Sequence, residues 1–278
     1  MTIDLAASIR ARLLNLAKAE QSDFNQVLVR FSLERMLYRL SQSAYSENFL
    51  LKGALLFSLW YDMPHRHTRD ADLLGLGPSD LTAIGKTFQD IMQVPCEDGI
   101  QFHADSLLIK EIRKDTGYGG ARVQVKAELA KARCKVQIDI GFGDAVSPAP
   151  VNAVFPVLLD DLPAPRLKTY PIYTVIAEKL HAIASLGMSN TRMKDYLDLY
   201  VLLTRESIEC GQLSSAIRAT FGRRGTVQFN LPFAGLSDEF AQDPARQKIW
   251  FSFLKKNDIA PLPLPDVVTT IRSFTPKP

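Results

Sequence analysis

The segment Thr68-Arg69-Asp70-Ala71-Asp72-Leu73 carries two aspartates two residues apart, in a stretch of strand length that ends at Gly75. Side chains two residues apart on a β-strand point to the same face, so both carboxylates should project together. Two like charges about 5 to 7 Å apart repel each other unless a cation lies between them. Mg²⁺ suits this arrangement, because it binds one or two protein carboxylates together with substrate phosphates. An exposed strand edge is the alternative interpretation of the same pattern.

A third aspartate lies in the alternating segment Lys135-Val136-Gln137-Ile138-Asp139-Ile140. Alternation of apolar and polar residues indicates a half-buried strand, with Asp139 on its polar side. If this strand lies beside the first, Asp139 completes a cluster of three carboxylates. Such a cluster could hold two metal ions roughly 4 Å apart and align a hydroxyl with a phosphate.

Length and composition bound the class of protein. The 278 residues correspond to about two domains or one large one, and 46% hydrophobic with 23% charged residues is ordinary for a globular protein. This composition excludes a disordered chain and a fibre. The net charge of +3 argues against a protein that coats nucleic acid through bulk charge. Residues 110–135, however, carry eight basic and three acidic residues, a local charge of +5.

The cysteines and the apolar segments indicate the cellular compartment of the protein. Cys96, Cys134 and Cys210 are scattered and form no Cys-x-x-Cys pair, which favours a reduced compartment. The N-terminus lacks the pattern of a signal peptide. The longest apolar stretch, from Phe49 to Tyr61, is interrupted by a lysine and is too short to span a bilayer. We therefore expect a cytoplasmic protein without a membrane segment.

The remaining pattern predicts helices at both ends of the chain around a group of strands. Residues 1–45 predict two helices, a third ends near Tyr61, and a fourth runs from Ser79 or Asp80 to about Met92. Three strands are expected between Phe102 and Phe142. Further helices are predicted over residues 172–187, 192–204, 210–220, 244–256 and 265–273.

A proline-rich connector separates the strands from the last group of helices. Six prolines lie between Ser147 and Pro171, which is typical of a surface connector. We place the domain boundary there, with one lobe over residues 1–165 and a helical lobe over 166–278.

Two charged residues fall within apolar helical stripes of the second lobe. On a helical wheel Lys179 lies in the middle of the stripe of its helix, and Asp195 lies with Arg192 among the apolar residues of the next helix. Burying a lysine is unfavourable unless it meets an anion or its head reaches water. One interpretation is a structural Lys179–Asp195 salt bridge. The other is that both reach a cleft, where Lys179 binds a triphosphate and Asp195 positions Lys179 or Arg192.

Two other groups of residues carry weaker signals. His65 and His67 flank Arg66, but no third ligand has a spacing that suits zinc, so a solvated turn or a loop contact to nucleotide or RNA is favoured. Arg35 and Arg39 lie one turn apart on a predicted helix, which predicts surface ion pairs.

Five segments, taken in order, resemble the AbiEii/AbiGii toxin family, whose relatives include the MenT toxins. They are residues 49–54, 66–73, 138–144, 178–182 and 192–199, so the resemblance runs to about residue 205. These proteins are nucleotidyltransferases of type IV-style toxin–antitoxin and abortive-infection systems, which act in phage defence. The resemblance implies an α+β fold, with a polymerase-β-like nucleotidyltransferase core of mixed sheet flanked by helices, and a helical C-terminal lobe.

The resemblance also implies roles for individual residues. Asp70 and Asp72 are implied as a metal-binding pair, and Asp139 as the third metal ligand and the base for the attacking hydroxyl. Lys179 is implied to bind the triphosphate, and Asp195 is the acidic residue of the last motif. The remaining residues expected to bind substrate are Lys52, Gly53, Ala54, Thr68, Arg69 and Arg192.

The first motif departs from a common pattern. Many polymerase-β-like enzymes have Gly-Ser where this chain has Gly53-Ala54. We expect backbone N–H groups, with Lys52, to bind phosphate in place of the missing hydroxyl.

The implied function is that of a toxin. It is a Mg²⁺-dependent transfer, with two metal ions expected, of a nucleoside monophosphate from a nucleoside triphosphate to an RNA 3′ end. The tRNA acceptor end is the expected target, with a block of translation as the result and a cognate antitoxin as partner. Two alternatives stay open: nucleotidylation of a small molecule or a protein, as in antibiotic-modifying relatives, and a non-catalytic partner protein.

Overall fold

The computed structural model describes residues 4–61, 68–113, 119–226 and 233–275. The chain divides into two compact units, one of residues 1–143 and 151–169, and the other of residues 144–150 and 170–278. The proposed lobe boundary at residue 165 stays a prediction. The segment that carries His65 and His67 lies outside the described residues.

The first unit begins with the two helices that the sequence predicts. Helix α1 spans Leu5–Ala19 and helix α2 spans Phe24–Gln42. Asp23 caps α2, because its carboxylate accepts hydrogen bonds from the backbone N–H groups of Asn25 and Gln26. Helix α2 packs against α1 and against the sheet described below.

Two arginines of α2 correct a prediction. Arg35 and Arg39 were expected to form surface ion pairs, but they are 0% and 4% exposed. Arg39 donates two hydrogen bonds to Asp98 at 2.6 and 3.0 Å, and Arg35 lies 2.6 Å from Glu34. The prediction was wrong because α2 is buried over most of its circumference, and a buried guanidinium needs a buried carboxylate.

A mixed β-sheet forms the centre of the first unit. Its seven strands within the described residues are β1 (Phe49–Lys52), β2 (Ala71–Gly75), β3 (Ile100–Arg113), β4 (Gly119–Leu129), β5 (Ala132–Phe142), β6 (Val151–Val154) and β7 (Arg166–Thr169). They lie in the order β3-β4-β5-β2-β1-β7-β6. The pairs β2–β5 and β1–β7 are parallel, and the other neighbours are antiparallel. Two helices, α3 (Leu55–Trp60) and α4 (Leu81–Met92), follow β1 and β2.

The strands follow the alternation of the sequence with one difference. In β5 Val136, Ile138 and Ile140 are buried, whereas Asp139 is on the opposite face. The strand expected from Thr68 begins only at Ala71, so Asp70 precedes it. The Thr68 hydroxyl donates to the carbonyl oxygen and the carboxylate of Asp70, and such local bonds compete with strand pairing.

The second unit is helical, as predicted. Its helices are α5 (Ile172–Leu186), α6 (Met193–Arg205), α7 (Cys210–Arg223), α8 (Asp238–Gln242), α9 (Pro244–Lys256) and α10 (Leu264–Ser273). The short α8 was not predicted. Tyr196 stacks on Phe240 with ring centroids 5.2 Å apart, and Trp250 is fully buried. The α+β fold with a helical C-terminal part is therefore confirmed.

The described part of the chain contains no helix that combines the length and the apolar character needed to cross a lipid bilayer.

Candidate functional site

A row of charged residues crosses four neighbouring strands of the first unit. Lys52 in β1 lies opposite Asp72 in β2, Asp72 lies opposite Asp139 in β5, and Asp139 lies opposite Arg122 in β4. Residues in register on adjacent strands project from the same face. We call these four residues the charged row. The two strands that carry the predicted aspartates are therefore neighbours, and a cation stands at each end of the acidic pair.

Gly53 follows Lys52 at the end of β1 and leaves space for the Asp72 carboxylate. Its φ is +74°, a conformation that favours glycine. A Cβ atom on Gly53 would lie 2.1 Å from Oδ2 of Asp72, so no side chain fits there. The glycine of the first motif is thus explained by the close approach of this carboxylate to the backbone.

Asp70 and its neighbours lie just before β2. The Thr68 hydroxyl is 3.0 Å from the Asp70 carboxylate, to which it donates a hydrogen bond. Arg69 is exposed, whereas Asp70 is half-buried. Thr68 thus fixes the orientation of the Asp70 side chain.

Arg122 binds both carboxylate oxygens of Asp139. Its Nε donates to Oδ1 at 2.8 Å and its Nη2 donates to Oδ2 at 2.7 Å. The hydrogen bond with Asp139 raises the pKa of Arg122, and the charges of Asp70 and Asp72 act in the same direction. All three aspartates therefore raise the pKa of the Arg122 guanidinium. Sequence reasoning missed this role, because the register that sets Arg122 opposite Asp139 leaves no signal in the sequence.

The three aspartates suit a hard divalent cation in their chemistry. Carboxylate oxygens are the ligands that Mg²⁺ prefers. We call Asp70, Asp72 and Asp139 the acidic corner, and the positive charge of Arg122 already balances part of its negative charge. Among the residues that the structure describes, no three His, Cys, Asp or Glu side chains are grouped closely enough to form a metal cluster. Asp70, Asp72 and Asp139 are therefore not grouped as a metal site in this structure, where Asp139 binds Arg122, and their role as ligands stays a prediction.

A cavity of about 840 Å³ lies in the first unit beside this site. Ala54 and Thr68 form part of its wall, together with Trp60 and Tyr61. Glu34 also borders it, and burial raises the pKa of that carboxyl to about 6 although Arg35 opposes the shift. The volume lies within the usual range of small-molecule sites, about 300 to 1,000 Å³.

The second unit holds the predicted Lys179 and Asp195 in a buried ion cluster. The Lys179 ammonium is 3.2 Å from Oδ1 of Asp195 and 2.6 Å from Oδ2 of Asp198, and Arg192 Nε is 2.7 Å from Oδ2 of Asp195. Burial disfavours the ionised Asp195, but Lys179 and Arg192 outweigh it and hold its pKa below the ordinary value. The Lys179–Asp195 salt bridge of the structural interpretation is present, and Asp198 joins it.

A second cluster of the same unit surrounds Arg224. Its Nη2 lies 3.1 Å from Glu178 and 3.3 Å from Asp144, and its Nη1 lies 3.3 Å from Nδ1 of His181. Burial lowers the pKa of His181 to about 4, and the charge of Arg224 acts in the same direction. Three residues of the sequence motifs thus meet an arginine that lies beyond the segments of the resemblance.

Comparison with known proteins places this chain in a family. The family model described as "Nucleotidyl transferase AbiEii toxin, Type IV TA system" matches residues 35–272, which extends well past the limit of about residue 205 expected from the motifs. No protein with a curated description matches significantly.

Two solved structures from Helicobacter pylori resemble the chain distantly. One is JHP933, which is 16% identical over 87% of this chain and 86% of that chain, with a TM-score of 0.47. The other is provisionally described as a nucleotidyltransferase and is 17% identical over 87% of this chain and 89% of that chain, with a TM-score of 0.45. The family model, by contrast, spans the charged row and both clusters of the second unit. The chain therefore belongs to the AbiEii family of nucleotidyltransferase toxins of type IV toxin–antitoxin systems.

Proposed function

We propose that this nucleotidyltransferase transfers a nucleoside monophosphate from a nucleoside triphosphate to the 3′ end of an RNA. We further propose the tRNA acceptor end as the target, so that the toxin blocks translation in the cytoplasm during abortive infection. The observation that carries the proposal is the pair of in-register carboxylates of Asp72 and Asp139, flanked by Lys52 and Arg122.

The roles of the first unit follow from the charged row. Asp70, Asp72 and Asp139 would hold Mg²⁺, which supplies neutralisation of the triphosphate charge. Asp139 takes the proton of the attacking 3′-hydroxyl, whose oxygen forms a bond to the α-phosphorus. The bond from that phosphorus to the pyrophosphate breaks, and pyrophosphate leaves with the electron pair. Lys52 adds positive charge beside Asp72.

Further substrate-binding roles are proposed for residues of each unit, as the family resemblance implies them. Lys179 binds the triphosphate, and Asp195 holds Lys179 and Arg192 in position. Gly53, which has no side chain, and Ala54, whose side chain is only a methyl group, follow Lys52 of the charged row and are proposed to bind phosphate through their backbone N–H groups.

The nucleoside is proposed to occupy the cavity beside Ala54 and Thr68. Aromatic side chains of Trp60 and Tyr61 border this cavity, and its volume of about 840 Å³ is sufficient for a base and a ribose. Thr68, which also bonds Asp70, connects the cavity wall with the acidic corner.

The solvent-facing side of the sheet favours RNA over a cationic small molecule as acceptor. Lys110 continues the charged row beyond Arg122, and Lys126 lies directly opposite Lys135 on the same side of the sheet. These lysines are exposed. Like charges placed opposite each other on neighbouring strands are destabilising unless an anion lies near them. A phosphodiester backbone supplies that anion, whereas an aminoglycoside adds further positive charge.

The proposal is tested by incubating the full-length protein with Mg²⁺, total RNA and each labelled nucleoside triphosphate in turn. The expected result is label in a tRNA-sized band, with binding that weakens steeply as salt rises. Label on an aminoglycoside or on a protein substrate, with none on RNA, would favour the small-molecule or protein alternative. Absence of transfer, together with no heat of binding for any Mg²⁺–triphosphate, would favour a non-catalytic partner.

A further inference from the structure

We propose that Arg122 competes with a divalent cation for Asp139, so that the acidic corner binds a divalent cation tightly only when a nucleoside triphosphate draws the guanidinium away. The inference rests on the proposed function, because it assumes that Asp139 is a metal ligand. It assigns to Arg122 a role in coupling the binding of the two ligands.

The geometry makes the competition direct. Arg122 engages both oxygens of Asp139, at 2.8 and 2.7 Å, which is the bidentate fork that arginine forms with carboxylates. A divalent cation that approaches the same carboxylate meets the positive charge of the guanidinium. At a separation of about 5 Å in a water-like dielectric, this repulsion weakens binding roughly tenfold.

The Arg122 side chain is also exposed enough to break its hydrogen bonds with Asp139. Its side chain is 36% exposed, whereas that of Asp139 is 15% exposed. On its other side Arg122 lies opposite Lys110 in β3, another cation. A triphosphate offers a guanidinium the same planar, bidentate recognition that a carboxylate offers, with more negative charge. Exchange of Asp139 for a phosphate therefore frees the carboxylate at the moment when the nucleotide is present.

The same two strands contain a matched control. Arg133 in β5 lies opposite Glu128 in β4 and donates to it at 2.7 Å, which mirrors the Arg122–Asp139 pair with the strands exchanged. Arg133 is six residues from Asp139 along β5, a distance of about 20 Å. Removing Arg133 deletes one positive charge and one cross-strand ion pair from the same face without touching the acidic corner.

The experiment titrates Mn²⁺, as a spectroscopic probe for the divalent site, into the full-length wild type and the variants Arg122→Gln, Arg122→Lys and Arg133→Gln. Free Mn²⁺ is followed by electron paramagnetic resonance, with and without an α,β-methylene analogue of each nucleoside triphosphate. Thermal unfolding of every variant verifies the fold. Nucleotide transfer is measured on the same preparations.

We expect Arg122→Gln to bind Mn²⁺ alone about tenfold more tightly than the wild type, and Arg133→Gln to bind it like the wild type. Arg122→Lys keeps the positive charge but cannot bind both oxygens of Asp139 at once. Its affinity for Mn²⁺ should therefore lie between those of the wild type and Arg122→Gln. The nucleotide analogue should narrow the difference in Mn²⁺ affinity between the wild type and Arg122→Gln. If Arg122→Gln does not fold, the inference is judged by Arg122→Lys.

Two results would overturn the inference. If the Arg122 variants bind Mn²⁺ with unchanged affinity, Arg122 does not compete with the cation. If they bind Mn²⁺ more weakly, Arg122 instead orients Asp139 for the cation. In that case Mn²⁺ binding and transfer by the wild type would leave the proposed function intact. If neither wild type nor any variant binds Mn²⁺, and transfer persists in chelator, both the inference and the proposed metal dependence fail.

Discussion

Asp72 and Asp139 lie directly opposite each other on two parallel neighbouring strands of the sheet. The two carboxylates repel each other, and their negative charges are balanced by Lys52 on one side and Arg122 on the other. The charged row is therefore neutral as a whole, with its two carboxylates side by side and one cation at each end.

Gly53 should be indispensable for this arrangement. We predict that Gly53→Ala unfolds at lower urea concentration, with a loss of about 1–3 kcal/mol from its φ of +74°, and that its transfer activity is lost. The activity falls because the new Cβ would displace the Asp72 carboxylate. Gly77→Ala is the control, since a Cβ there meets no atom within 4 Å. Wild-type activity in Gly53→Ala would show that the position of Asp72 does not matter.

The ion cluster of the second unit should be intolerant of losing its lysine. Lys179→Met leaves the buried Asp195 and Asp198 without their shared cation, so we predict a loss of about 3 kcal/mol in the free energy of unfolding. The double variant Lys179→Met/Asp198→Asn should recover part of this loss, because it removes one of the two stranded charges. Chemical denaturation measures both values. Equal stability of wild type and Lys179→Met would refute a structural role for the cluster.

The buried His181 should make stability depend on pH. Its folded pKa of about 4 lies below the ordinary value of 6.5, so the unfolded chain binds the proton first as pH falls. The contribution of the neutral ring is present above about pH 6.5 and is lost as pH falls towards 4. Allowing for solvent screening, it amounts to about 1–2 kcal/mol.

The measurement for His181 compares the wild type with His181→Gln at each pH. Glu34, whose folded pKa is raised to about 6, acts in the opposite direction and is common to both proteins. The stability difference between them should therefore narrow between pH 6.5 and 4. A constant difference across this window would contradict the proposed neutrality of His181.

Thr68 is placed to act as an inhibitory modification site. Its hydroxyl is 3.0 Å from the Asp70 carboxylate, so a phosphate on it would add close to −2 charge beside the acidic corner. We predict that Thr68→Glu abolishes transfer, whereas Thr68→Val, which removes only the hydrogen bond, reduces it modestly. The rate of label incorporation distinguishes the two variants. Full activity in Thr68→Glu would remove this idea.

The sequence predicted the elements better than their pairing. The alternation around Asp139 gave the correct faces of β5, because a period of two residues is a local property. The partner of Asp139 could not be predicted, since Arg122 is opposite only through the register of β4 and β5. The sequence also did not reveal that Thr68 bonds Asp70 and delays the start of β2.

Long-range contacts account for the other differences. Arg35 and Arg39 share a helix face with apolar residues, but only tertiary packing around α2 decides that this face is buried. Arg224 joins motif residues from two distant segments, and no local pattern connects it with them. Such residues become visible only when the fold brings their partners together.

The rate of nucleotide transfer by Asp72→Asn and Asp139→Asn tests the role of the charged row most directly. Both substitutions keep the size of the side chain and remove its charge. We predict that each variant loses at least about a hundredfold in rate, that both unfold close to the wild type, and that the exposed control Asp160→Asn keeps full activity. Transfer at the wild-type rate by either variant, with its fold intact, would contradict the central role of the charged row.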